Sequence, residues 1–341
     1  MKRIALPLMA AVGAILTLAA AVDIAAAQRR RANRIKLGTI APKNSVYHEV
    51  LLRMRQSWRD ISAGSLDLTV YPGGVAGDEA TMLRKMRAGQ MQAALISGSG
   101  MSFLDEGISA LQVPLMFESL EEFDFVRAQL APTLERRLRD KGFTVLAWGD
   151  AGWAYFFAVR EFRTVDDVRS MKLYTSKGDD ESLRLFSEFG FRAVPLDLTE
   201  LQANLETGLV EVFAVPPLVA AGYQWFASAP HMLDLRFIPI VGAVLIDSAA
   251  WEGIPAEQRV PMRQAAVDAA AAIEGTVRKQ EREAVREMQK YGLRVIAADE
   301  DLVAAWRREV EDAYPGLRGR YAPAELMDEA LRWRDEYRAR Q

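Results

Sequence analysis

Residues 66–96, LDLTVYPGGVAGDEATMLRKMRAGQMQAALI, carry the pattern that decides the fold. Leu66, Leu68 and Val70 alternate with Asp67 and Thr69, the period of a half-buried strand. Asp78-Glu79 then places negative charge at the positive end of a helix whose buried face is Met82, Leu83 and Met86, and Gly89 stops it. A second strand follows at residues 93–96. Upstream, residues 35–40 read as a strand and residues 44–61 as a helix, with Leu51, Met54, Trp58 and Ile61 at helical spacing and Gly64 as its stop. Strand, helix, strand, helix, strand implies an α/β unit around a mostly parallel sheet.

The same grammar restarts downstream. Residues 143–148 and 153–159 read as two strands joined by a short connection at Gly149 to Gly152. Thr164-Val165-Asp166-Asp167 offers a capping box before a strand at 172–174. Thr199 and Gln202 offer another, Leu201 and Leu205 share a helix face, Gly208 ends that helix, and residues 210–215 form a β-branched strand. Ile254-Pro255 leads into a long helix over 256–290, closed by Gly292. No long Pro/Gly linker separates the halves, so the junction reads as a hinge between packed units.

Composition narrows the function. At about 150 residues per domain, 341 residues suggest two domains. Forty-three basic against 46 acidic residues give a net charge of −3, without the basic footprint that nucleic acid requires. The absence of cysteine excludes disulfides, thiolate metal sites and cysteine nucleophiles, and only His48 and His231 remain for imidazole chemistry. Met1-Lys2-Arg3, the apolar run 4–22 and Ala25-Ala26-Ala27 read as a signal peptide over residues 1–27, which implies export to the periplasm. Arg29 to Arg31 then reads as a solvated mature N-terminus.

Catalytic motifs fail one by one. The stretch 71–77 lacks the Lys-Ser/Thr ending of a phosphate loop and reads as a strand-to-helix turn. Gly98-Ser99-Gly100 is not a nucleophile elbow and reads as a flexible loop. His48-Glu49 lacks the second histidine of a zinc helix, which leaves His48 in a first helical turn. Asp105-Glu106, Glu121-Glu122, Asp166-Asp167 and Asp179-Asp180 each sit beside a helix start, where capping explains them. Nothing points to a cofactor, a metal or an enzyme. What stands out is an aromatic cluster at strand ends: Trp148, Trp153, Tyr155, Phe156, Phe157, Tyr174, Phe213, Tyr223, Trp225 and Phe226. Alternation along a strand cannot bury Tyr155, Phe156 and Phe157 on one face, so some of these rings must face another element or a cleft.

The order of short motifs resembles that of the periplasmic solute-binding subunits of TRAP-type (tripartite ATP-independent periplasmic) transporters, the DctP-like family. Ile35-Lys36-Leu37-Gly38-Thr39 is similar to the family's first strand, and Val70-Tyr71-Pro72-Gly73-Gly74 to its Tyr-Pro turn. Leu111 to Phe117, Met171-Lys172-Leu173 and Leu205 to Glu211 fit further segments. The resemblance implies two α/β lobes with mixed sheets, the architecture of a type II-like binding protein. Lobe I would span 34–152 plus about 240–255, lobe II 153–239, with the helix 256–290 spanning both and a helical segment 291–341 packed on them. It implies a small-molecule ligand, TRAP permease subunits as partners, and binding without bond breakage. An exported hydrolase with an aromatic groove and a rigid scaffold remain the competing classes.

The departures from the family pattern concern the ligand. The arginine that grips a substrate carboxylate falls on Tyr174, and a second basic position falls near Trp153. Neither replacement can meet a carboxylate with a planar fork of donors. The polar stretch after the family's "VDG" reads Phe213-Ala214-Val215-Pro216-Pro217, and an expected asparagine is Asp247. The resemblance therefore places Tyr47, Trp153, Tyr155, Tyr174, Phe213, Val215, Pro216, Pro217, Gln224, Trp225 and Asp247 around a cleft for an apolar or amphipathic solute, monocarboxylates included. A conventional organic acid is the alternative. Pro216-Pro217 with the run 223–226 is also similar to a branch with an apolar pocket that works with a tetratricopeptide-repeat partner.

Overall fold

The computed structural model describes residues 34–178 and 180–341. The signal-peptide expectation and the arginine run at 29–31 lie outside the described residues. In the first lobe, β1 (Arg34–Thr39) pairs in parallel with β2 (Asp67–Tyr71) on one side and β3 (Ala93–Ser97) on the other. Helix α1 (Val46–Ile61) starts at Ser45, which caps the His48 N–H, and buries Val50, Leu51, Met54 and Trp58 against the sheet. Helix α2 (Glu79–Arg87) is capped by Asp78, whose Oδ1 accepts from Thr81 N at 2.7 Å, and Met82, Leu83 and Met86 face the core as their spacing predicts. Between α1 and α2 the chain turns on Gly73 and Gly74, both with positive φ, a conformation with no steric penalty only for glycine. Residues 98–100 are not a flexible loop: Ser97 caps the Gly100 N–H and winds Gly98–Ser102 into the short helix α3. Helix α4 (Leu120–Asp140) covers the other side of this lobe.

The two strands expected at 143–148 and 153–159 are one, β4 (Phe143–Ala158). Its first part pairs antiparallel with β9 (Ile238–Asp247), and its last residues pair antiparallel with β7 (Val212–Val215). A register shift between Asp150 and Trp153, with Gly152 at φ +79°, bulges the strand while it keeps β9 as its partner on both sides. The glycines read as a connection are thus a bulge inside a strand that runs through both lobes.

In the second lobe, β5 (Lys172–Ser176) pairs in parallel with β6 (Arg192–Leu196) and β7. Helix α5 (Val165–Arg169) has the full capping box, Thr164 bonded to the Asp167 N–H and Asp167 to the Thr164 N–H. Helices α6 (Asp180–Glu188), α7 (Leu201–Glu206) and α8 (Pro217–Gly222) complete this lobe. The expected box at Thr199 and Gln202 does not form. Leu198–Glu200 is a 3-10 turn that takes Thr199 off the cap position, and Gln202 Nε2 donates to Glu206 and Ser228 instead. The sheet order β2-β1-β3-β9-β4-β7-β5-β6 is therefore mixed: parallel strands within each lobe, joined by antiparallel crossing strands.

After α9 (Ser248–Glu252), helix α10 (Ala256–Lys290) runs the full length read from the sequence and packs on β4, α1 and α8. Trp58 Nε1 donates to Met262 O at 3.0 Å, tying α10 to the first lobe. The C-terminal segment is helical, as α11 (Glu300–Leu317) and α12 (Ala324–Ala339), but begins with a strand, β10 (Arg294–Ile296), paired with β8 (His231–Leu233). Among the described residues no helix is long and apolar enough to cross a membrane.

Candidate ligand cleft

A parallel strand leaves its carboxyl end free for a loop that leads into a helix start, and where two such sheets meet head to head these ends face one crevice. Here residues 39–42 after β1 and 95–99 about the end of β3 face residues 174–177, 196–198 and 214–216 at the ends of β5, β6 and β7. They enclose a cavity of about 240 Å³, floored by β4, β9 and Ala269, Ala270 and Ile273 of α10. The lobes touch across it, with Tyr223 OH of the second lobe donating to Ile40 O of the first at 2.6 Å.

Most of the wall is apolar: Ile40, Leu95, Phe103, Leu196, Val215 and Val219 among others. Its polar groups are unevenly signed. Asp78, Glu79, Asp150 and Asp197 line it against a single cation, Lys177, whose Nζ lies 3.3 Å from Asp197 Oδ2. Glu79 accepts from Ser97 N and Ser97 Oγ, both at 2.6 Å, and burial pushes its carboxyl up despite those bonds. Burial and the neighbouring Asp78 carboxyl push Asp197 up. Asp78 feels burial too, but the hydrogen bonds from Thr81 hold it below its usual value. Burial likewise pushes the Tyr47 and Tyr174 hydroxyls up. Tyr174 OH lies 3.4 Å from Ser176 Oγ, whereas the buried Tyr47 OH has no hydrogen-bond partner among the described residues.

Asp124, Asp150 and Glu274 converge closely enough to hold a cation. Two guanidinium groups already serve them: Arg278 Nη2 lies 2.7 Å from Asp150 and 2.8 Å from Asp124, and Arg127 lies 3.0 Å from Glu274. This cluster is an ion-pair network that fastens α10 to the β4 bulge, where Asp150 also accepts from Gly152 N at 2.9 Å. The Asp150 side chain is fully buried, so the pairing with Arg278 is what makes its charge tolerable.

Of the eleven residues expected around the ligand, the structure brings Tyr47, Tyr174, Val215 and Pro216 to the cavity wall. It places Trp153 and Tyr155 in the core of the crossing strand, and Phe213 between Phe157 (centroids 5.5 Å apart, stacked) and Trp225 (5.8 Å, edge-on). Trp225 is itself covered by Tyr223. Pro217 is buried at the start of α8, Gln224 is exposed at φ +59°, and Asp247 caps α9 by accepting from Ala250 N at 2.8 Å. The physical reason is strand alternation and depth: only residues at the last turn of a strand, past the helix that covers it, reach the crevice. Asp78, Glu79, Asp150, Lys177, Asp197 and Tyr223 line it and were not among the residues expected around the ligand, although Asp78-Glu79 was read as a helix start and Tyr223 as one of the clustered aromatics. Their signal was positional, at helix starts and strand ends rather than in any motif.

Two α/β lobes joined by crossing strands, with a crevice at the facing strand ends, define the class of two-lobed solute-binding proteins. The sequence model of the DctP family, described as bacterial extracellular solute-binding protein, family 7, matches residues 37–318, and the chain belongs to that family. It is a binding protein and not an enzyme. A solute-binding protein of Chromohalobacter salexigens is 23% identical over 211 residues, 61% of this chain and 62% of that relative. The sialic acid-binding periplasmic protein SiaP of Vibrio cholerae is 21% identical over 291 residues, 84% of this chain and 88% of that protein. In structure, the sugar acid binding protein DctPAm of Advenella mimigardefordensis, solved with galactonate, superposes with a TM-score of 0.82 at 18% identity over 89% of this chain and 98% of that one.

Proposed function

We propose that this chain is the exported, periplasmic subunit of a TRAP transporter that captures an apolar or amphipathic solute in the cleft and hands it to the membrane permease. Family membership supports the transport role and the permease partner. It lends no support to a tetratricopeptide-repeat partner, which forms no part of this reading. Capture works by hinge motion about the β4 bulge and β9, with Tyr223 and Ile40 meeting on closure.

The observation that carries the ligand class is the charge of the wall: no arginine lines the described cleft, and its one lysine is already paired with an aspartate. Galactonate, bound by the solved relative, is a sugar acid, and a carboxylate needs a cation or a fork of donors in so enclosed a site. Here it would meet the carboxyls of Asp78, Glu79 and Asp197 instead, Asp150 being taken up by Arg278. A solute with an apolar body and a hydroxyl-bearing polar end fits better, because Tyr47 OH and the acidic groups are placed to bond such an end. Isothermal calorimetry against apolar compounds, monocarboxylates and sugar acids tests this. Micromolar binding of galactonate, succinate or sialic acid, with none of the apolar compounds bound, overturns the ligand class. Tyr174→Arg replaces a ring of the wall by a charged group beside Asp78, Glu79 and Asp197, and is expected to cut apolar binding at least tenfold. Unchanged binding by the folded variant removes Tyr174 from the site.

A further inference from the structure

A second cavity, also about 240 Å³, adjoins the first, and Ser99, Tyr174, Ser176 and Ala214 belong to the walls of both. It runs beneath the second lobe between β5, α6 and α11. Its walls are mainly rings and aliphatic groups, Phe156, Leu185, Phe186, Phe191, Phe237 and Trp306 among them, with Gln112, Thr175 and Ser182 as polar members. Each cavity alone is smaller than the 300 Å³ or so at which ligand sites usually begin, whereas the two joined fall within the usual range. Charged groups differ between the two: Asp78, Glu79, Asp150, Asp197 and Lys177 line the cleft, whereas the charged members of the second cavity, Arg169 and Glu309, pair with each other. Tyr174 stands at the junction, its ring in the shared wall and its hydroxyl turned to Ser176.

We infer that the second cavity is a tail chamber, which takes the acyl or aryl end of an amphipathic ligand whose polar end stays in the cleft. This rests on the cleft reading above and adds to it a length requirement. Apolar cavities too large to collapse and too apolar to hold water are stabilised by an apolar guest. A ligand threaded past Tyr174 would desolvate each methylene completely, so affinity should climb with chain length until the chamber is full.

The probes are the straight-chain alcohols from 1-butanol to 1-decanol, titrated by calorimetry into the full mature chain. Affinity is expected to rise about fourfold for each methylene added. Ala313→Phe, on α11 in the chamber wall, fills the chamber from the side away from the cleft. It should stop that rise several carbons earlier and leave the short alcohols unchanged; Val310→Phe serves if the first variant does not fold. As a reading of position, 10-bromo-1-decanol should quench the fluorescence of Trp306, and Trp306→Phe should remove that quenched component. Short alcohols that bind with no gain for longer ones, or a folded Ala313→Phe that tracks wild type throughout, overturn the chamber and leave the cleft reading standing. If no alcohol binds at all, both fall.

Discussion

The two lobes share one strand-and-helix grammar but fill their cores with different material. Around β1–β3 the helices and the turn before β3 bring in Met54, Met82, Met86, Met91 and Met101, all buried, beside the rings of Trp58, Phe117 and Phe123. Around β5–β7 the core is built from Phe156, Phe157, Phe213, Trp225 and Trp306, linked by ring contacts of 4.6 to 5.8 Å that also draw in Tyr223. Methionine bends to fill irregular gaps, whereas rings hold fixed mutual geometries and leave space beside them. The chamber lies in the ring-built lobe, and the comparison says why: a rigid aromatic wall keeps a cavity open that a methionine layer would have closed.

Three substitutions break or sharpen that contrast. Phe213→Ala removes a fully buried ring together with its stack on Phe157 and its edge contact with Trp225, and is expected to cost about 3 to 5 kcal/mol in denaturant unfolding. A loss below 1 kcal/mol would mean that the ring cluster collapses easily and cannot hold a chamber open. Met82→Leu, in the other lobe, conserves volume among flexible neighbours and should cost less than about 1.5 kcal/mol. If it costs as much as the Phe213 truncation, the two cores are equally shape-specific and the contrast is lost.

The smallest effect concerns a helix cap. The backbone N–H groups of Thr164 and Arg163 bond Asp167 and hold its carboxyl below the usual range. A depressed carboxyl contributes stability above the unfolded-state value and loses it as pH falls through the folded one. Asp167→Ala should therefore lower stability by about 1 kcal/mol at neutral pH, with the difference shrinking as pH drops below about 4. A thermal-melt series from pH 7 to pH 3 shows it. Asp78, the corresponding cap in the first lobe, is also held low but has Asp197 beside it, so its variant should not give so simple a profile.

Much of this was legible along the chain because the rules involved are local. Alternation marked the strand at 67–71 and the apolar run after Gly89 the one at 93–97, Asp78 and the Thr164–Asp167 box marked helix starts, and Pro255 and Gly292 bracketed a helix of 35 residues. The second capping box failed for the same local reason, since a 3-10 turn one residue earlier moved Thr199 out of place. The charge of the site was legible only in part: the resemblance put Tyr174 in place of a carboxylate-gripping arginine, and no arginine lines the cleft among the described residues, but its acidic groups went unforeseen.

What only the tertiary structure decided is which aromatic side chains are wall and which are core. Tyr174 and Phe213 lie on the same face of adjacent strands, because Leu173 pairs with Val212. Trp225 covers one of them, and the other stands clear at the cleft. No pattern within a few residues of either position encodes that difference, which depends on a helix and a turn more than 40 positions beyond Tyr174. The same holds for β4, whose glycines read as a break until β9 pairs with the strand on both sides of the bulge and β7 pairs with its last residues. Sequence determines what a residue prefers over one turn or one strand. Long-range packing determines what lies opposite it, and the cleft and its chamber are made entirely of such oppositions.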